Sequence, residues 1–205
     1  MTTKQLIQFD PSKLSASYKK AAAEVAPKGA FLKMSKAGEW TFGADETEVS
    51  ADDTCAINPQ AVMHGWVCWA DTNSGAAPGK LGETMVSIEQ DAPAQPAQVP
   101  PGGAPWAFQL GLHFKGMSGK AKGLDMLYTT TSYGGKKAVS GLMSLMGDYY
   151  EVAKNHSKPI PVVTLSSESY KNDKYGKIFN PIITIKDWIA MPKPEAPKKV
   201  ISKKK

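Results

Sequence analysis

GGKKAVSGLMSLMGDYYEVAKN (134–155), followed by PVVTLSSESYKNDKYGKIFNPIITIKDW (161–188), decides the architecture of this chain. In the first segment Ala138, Leu142, Leu145, Met146, Tyr149 and Val152 recur at helical spacing and form one apolar stripe. Gly141 and Gly147 each weaken such a helix by up to about 1 kcal/mol, so packing must support it. Pro159 and Pro161 end the region. In the second segment two strand-like runs flank Asp173, Lys174, Tyr175 and Gly176, a turn composition.

Upstream the pattern is almost entirely of strands. WAFQLGLHFKGM (106–117) alternates, with Trp106, Phe108, Leu110, Leu112 and Phe114 on one face, and KGLDMLYTTTS (122–132) is its partner. VMHGWVCWA (62–70) is apolar on both faces, as in a central strand, and ETMVSIEQ (83–90) is a short one. AFLKMSKAGEWTFG (30–43) reads as a hairpin turning at Lys-Ala-Gly, and ADETEVSADDT (44–54) as a solvated loop. DAPAQPAQVPPGGAP (91–105) is too rich in proline for a core and reads as a flexible loop between strands. The fold class is therefore mainly β with one principal helix (α+β). Strands, one helix and a closing hairpin is an order that fits an oligonucleotide-binding-like Greek-key barrel, and other β-rich folds with a single helix. The domain spans 31–191, preceded by a 1–30 extension with a short helix and followed by a disordered basic tail, 192–205.

The formal charge is +6, but it is unevenly spread. Residues 192–205 hold six lysines against Glu195, while 31–191 hold 14 lysines against 16 acids. Within that body, 106–191 carry 11 lysines against six acids, so one half can present a basic surface. All 25 basic residues are lysine. Without arginine's planar fork the chain is poorly equipped to read guanine edges in a duplex, whereas lysine neutralises phosphate without regard to sequence.

No catalytic signature stands out. His64, His113 and His156 lie far apart, Cys55 and Cys68 lack paired neighbours, and there is no zinc spacing and no GxSxG. Gly-x-x-Gly-Lys in GMSGKAKG (116–123) lacks the length and the Ser/Thr of a P-loop. TSYGGKKAVSG (131–141) could gather free amides and ammonium groups at a helix start, or be a glycine-rich turn. The expectation is a non-enzymatic protein with no metal or cofactor. An enzyme would need acids that assemble only in the fold. The lack of any long apolar run or export-type leader suits a cytoplasmic protein with free thiols and no membrane partner.

A binding role has more to use. Sequence-blind capture of single strands needs lysines for phosphate and aromatic platforms for bases. The closing hairpin interleaves Tyr170, Lys171, Lys174, Tyr175, Lys177 and Phe179. Tyr133, Lys136 and Lys137 precede or open the helix, Lys115, Lys120 and Lys122 border the preceding loop, and Trp66 lies in the central strand. Trp40, Trp66, Trp69 and Trp188 read as core residues before they read as platforms. Tyr170 and Tyr175 stand equally between stacking platforms and the ordinary surface of an edge strand.

FLKMSKAGEWTFGADE (31–46), INPQAVMHGWVCW (57–69), TSYGGKKAV (131–139) and the closing hairpin together resemble tailed-phage and prophage proteins associated with replication and recombination. The resemblance implies a single-stranded DNA-binding protein on an oligonucleotide-binding-like barrel, with other replication or recombination proteins as further partners. It supplies no set of functional residues, and oligomeric state stays open. The alternative is a protein-interaction or virion-associated structural module, for which the proline-rich loop and slightly acidic body speak.

Overall fold

The structure, a computed structural model, describes residues 30–191. The short helix expected within 15–29 and the tail 192–205 lie outside the described residues. Within them the chain is mainly β with one α-helix, in an open mixed sheet, an α+β architecture.

Strand β7 (Ala107–Gly116) organises that sheet. Its alternation puts Leu110, Leu112 and Phe114 into the core, with Phe108 packed against it. One edge pairs antiparallel with β8 (Asp125–Thr130), from Leu110 opposite Thr130 to Lys115 opposite Asp125. The other edge is shared. Its first half pairs with β5 (Met63–Trp69) and its last residues with β4 (Thr54–Ile57), so the sheet forks there. β5 continues only to β6 (Lys80–Ser87). β4 leads to β9 (Ile160–Asn172) and then to β10 (Gly176–Ile189). Beyond β8, β1 (Ala30–Met34) adds in parallel, followed by β2 (Trp40–Phe42) and the two-residue β3 (Thr47–Glu48). The expected strands and hairpins of 30–43, 62–70, 83–90, 106–132 and 161–188 are all present. β3 forms inside the stretch read as loop.

The expected barrel does not close. The pairing path ends at β10 on one side and β3 on the other. Neither end offers a regular run of donors: β3 is two residues long, and β10 carries Pro181, which has no amide hydrogen, and a register shift between Ile185 and Asp187.

Helix α1 (Tyr133–Tyr150) covers the interior of this curved sheet. Its buried face is Gly135, Val139, Leu142 and Met146, rotated from the expected stripe; Leu145 and Val152 are exposed. Events at the N-terminus set this rotation. The Ser132 hydroxyl caps the Gly135 amide at 3.1 Å, and Gly135 lies against Thr130 so closely that a Cβ would overlap its hydroxyl. At the other end Tyr149 stacks on Trp188 with centroids 3.6 Å apart, and the Tyr150 hydroxyl donates to the Pro159 carbonyl at 2.7 Å. Trp40 is buried between sheet and hairpin: its ring lies 5.1 Å from that of Tyr128, and its indole N–H donates to the Ser166 carbonyl at 2.8 Å.

The proline-rich segment 91–105 forms no strand, and it is tied to the sheet at several points. The indoles of Trp66 and Trp106 donate to the carbonyls of Pro93 and Gln98, and the Cys68 thiol to that of Ala104. Burial is also what governs Cys55: loss of solvation, with the Asp53 charge adding, pushes its thiol up to about 11 from 9.0. The folded chain thus favours the protonated thiol. Its stabilising effect is complete below pH 9 and fades as pH rises towards 11, where an unfolded thiol would already be ionised. Stability of the wild-type chain should therefore fall over that window, and Cys55→Ala should flatten the decline in urea melts. In the folded protein at pH 8 Cys55 should resist thiol reagents that label it after unfolding.

Candidate nucleic-acid interface

From Leu165 onward β9 is no longer flanked by β4, whose pairing stops at Thr164, and it pairs with β10 alone. Seven further residues carry it to Asn172, roughly 23 Å at strand rise. The outcome is a two-stranded arm. Such a ribbon is marginally stable on its own, so its root must be held. Two contacts hold it. Gly38, at the β1–β2 turn with φ +86°, lies directly against the Phe179 ring and the Ser167 hydroxyl. On the far side Asn180 lies against Gly134 at the start of α1. Neither glycine leaves room for a side chain.

Between the arm root, β1, β8 and the start of α1 lies a cleft of about 720 Å³. Four consecutive residues of β10, 178–181, line it. Neighbouring strand residues face opposite ways, so only the unpaired edge of β10 presents all four. The cleft thus lies beside the open β10 edge of the sheet. Six aromatic residues line it: Phe31, Trp69, Tyr133, Tyr170 and Phe179, with the buried Tyr128 at its floor. Tyr133 is 83% exposed, Phe31 51%, and Trp69 and Tyr170 47% each. Thr129, Ser132 and Asn180 add neutral polar groups. Its one charged lining residue is Lys33, whose ammonium lies 3.7 Å from Glu46. A mouth of flat rings with a few hydroxyl and amide groups suits planar heterocycles far better than it suits a bare ion.

The arm tip is different in character. Asn172 accepts the amides of Lys174 and Tyr175 at 3.0 Å each, and Gly176 at φ +74° completes the turn. Tyr175 is exposed, with the Lys174 ammonium 5.1 Å from its ring centroid. The Lys177 ammonium sits 4.7 Å over Phe179. Lys171 stands directly opposite Lys177. Opposed like charges on one sheet face destabilise the pair by about 0.2–1 kcal/mol.

The expected site residues thus divide. Tyr133, Tyr170 and Phe179 meet in the cleft, and Lys171, Lys174, Tyr175 and Lys177 form the tip beyond it. Lys136 ends the first turn of α1 and Lys137 begins the second; Lys137 lines a second, smaller depression between α1 and β10, near Glu168. The amides at the helix start are partly committed, since the Ser132 hydroxyl accepts that of Gly135. Lys115, Lys120 and Lys122 do not join this surface. Lys115 pairs with Asp125 at 3.0 Å, at the end of β8 away from the cleft. The β7–β8 loop carrying Lys120 and Lys122 packs on the start of β4, where Ser118 accepts the Thr54 amide. Trp66 is a structural residue, edge-on to Phe108 at 5.3 Å and bonded to Pro93.

Three participants escaped the sequence reading. Trp69 reads as core, yet it sits at the last position of β5, where the apolar run ends and the sheet no longer covers it. Phe31 alternates with the buried Leu32, and Lys33 with it, so both point away from the core. That period-2 alternation was the available signal.

Among the described residues no three His, Cys, Asp or Glu side chains are grouped to hold a metal ion, and no helix is long and apolar enough to cross a membrane. No family model, curated protein or solved structure matches the chain.

Two substitutions separate scaffold from site. Gly38→Ala should destabilise by about 1–3 kcal/mol, because it strains a left-handed backbone and displaces Phe179; a lowered urea midpoint measures it. Trp66→Phe keeps the ring but deletes the donor to Pro93. It should cost about 0.5–1.5 kcal/mol of stability and leave oligonucleotide affinity unchanged in a fluorescence titration.

Proposed function

We propose that the chain is a non-enzymatic, sequence-independent single-stranded DNA-binding protein. The observation that carries this reading is the cleft, in which Phe31, Trp69, Tyr133 and Tyr170 expose their rings around the half-buried Phe179, beside a lysine-rich arm. Every base has a π-face, so stacking on such rings is indifferent to sequence and contributes about 1–3 kcal/mol per base. Paired bases in a duplex have both faces occupied and cannot enter without unstacking. The all-lysine composition favours the same ligand, since mobile point charges neutralise phosphate without reading bases.

Together with the resemblance to phage proteins, this reading places the chain in the host cytoplasm, supporting phage DNA replication or recombination. A surface derived from the oligonucleotide-binding barrel, opened at one seam, is the corresponding fold proposal. What supports it is the order of elements along the chain, strands, then one helix, then a closing hairpin.

The test is a fluorescence titration with oligo-dT at low salt, and with a duplex of equal length. The single strand should bind more tightly and quench tryptophan emission. Trp40 is buried and Trp69 lines the cleft, so Trp69→Phe should remove most of the quenching while Trp40 emission persists. Alanine at Tyr170 or Phe31 should weaken oligo-dT by about 1–3 kcal/mol each. Deleting residues 192–205 should lower affinity without abolishing it. Absence of oligo-dT binding, or binding that leaves entirely with the tail, overturns the proposal.

A further inference from the structure

The arm tip and the cleft present opposite chemistry along one continuous hairpin. Directly opposed residues share a face of a sheet, and successive residues alternate. The register sets Tyr170 against Ile178, Lys171 against Lys177, and Ser169 against Phe179. Lys171, Lys177 and Phe179 therefore share one face, and Tyr170 and Ile178 the other. Three ion pairs form among the described residues, by Lys33, Lys80 and Lys115. Lys171, Lys174 and Lys177 belong to none of them. Two of these ammonium groups are instead held against rings, Lys177 over Phe179 and Lys174 over Tyr175. The opposed lysines repel each other when the tip is empty, and a polyanion laid between them removes that repulsion.

We infer that the arm tip is a phosphate track distinct from the base cleft: Lys171, Lys177 and Lys174 contact the backbone of a single strand whose bases stack at the arm root. This rests on the single-strand reading above and assigns its parts. Attraction at the tip depends on charge alone and falls with salt, whereas attraction in the cleft depends on rings and is largely indifferent to salt.

The experiment compares two ligands of equal length, oligo-dT and an abasic deoxyribose-phosphate chain, across a salt series with the full chain. Replacing Lys171 and Lys177 by Gln should weaken both ligands. It should also flatten the slope of log affinity against log salt by about 0.7 for each lysine removed. The combined Tyr170→Ala and Phe31→Ala variant should weaken oligo-dT at least tenfold, with the abasic chain and the slope unchanged. Thermal melting checks the fold. The Gln variants should melt close to wild type, because relief of the repulsion offsets loss of the Lys177–Phe179 contact, and Lys171→Arg with Lys177→Arg should retain the slope. If the Gln variants bind oligo-dT with the wild-type slope, the track is refuted and the single-strand reading survives. If the wild-type chain binds a peptide library but no oligo-dT, that reading falls and the track with it.

Discussion

Everything proposed for this surface depends on one steric fit, the contact of the β1–β2 turn with the root of the β9–β10 arm. A two-stranded ribbon released from β4 after Thr164 has no third strand to hold its direction. Gly38 receives Phe179 and Ser167 where any Cβ would overlap them, and the Trp40 indole bonds the Ser166 carbonyl close by. With Asn180 against Gly134 on the other side, the arm is gripped between the β1–β2 turn and the start of the helix. β10 leans on a turn and a helix end, not on a strand, and the gap it leaves becomes the aromatic cleft.

The helix takes part in the site through its N-terminus more than through its length. Ser132 ends the extended run of β8 and caps Gly135, and Gly135 is drawn against Thr130. That anchoring rotates the buried face to Gly135, Val139, Leu142 and Met146, and it leaves Tyr133 projecting into the cleft. Ionisation is shifted at buried Cys55 and Tyr128 and at half-buried Tyr150, each raised chiefly by desolvation. They report packing.

Legibility varied with the range of the interaction. The hairpins at 30–43 and 161–188 and the alternation of 106–117 were readable because period 2 and turn composition are local. The helix was readable in extent but not in phase, since several neighbouring stripes of 134–155 are nearly equally apolar and the tertiary anchor at Gly135 selects one. Trp66 and Trp69 are indistinguishable in VMHGWVCWA. Only the extent of the neighbouring strands half-buries the first against Phe108 and leaves the second exposed at the sheet's margin. Lys115 looked like part of a basic surface until register set it opposite Asp125.

By itself the sequence determined a β-rich chain with one helix, a closing hairpin bearing lysines and tyrosines, and basicity without arginine. Those follow from side-chain periodicity and composition, which a chain carries wherever it goes. The tertiary structure alone decided that the sheet stays open and that Phe31 and Trp69 join Tyr133, Tyr170 and Phe179 around one cleft. It also decided that the lysines of 115–122 lie elsewhere. Those rings are contributed by strands and a helix start far apart in the chain, and only long-range pairing and the contacts at Gly38 and Gly134 bring them together.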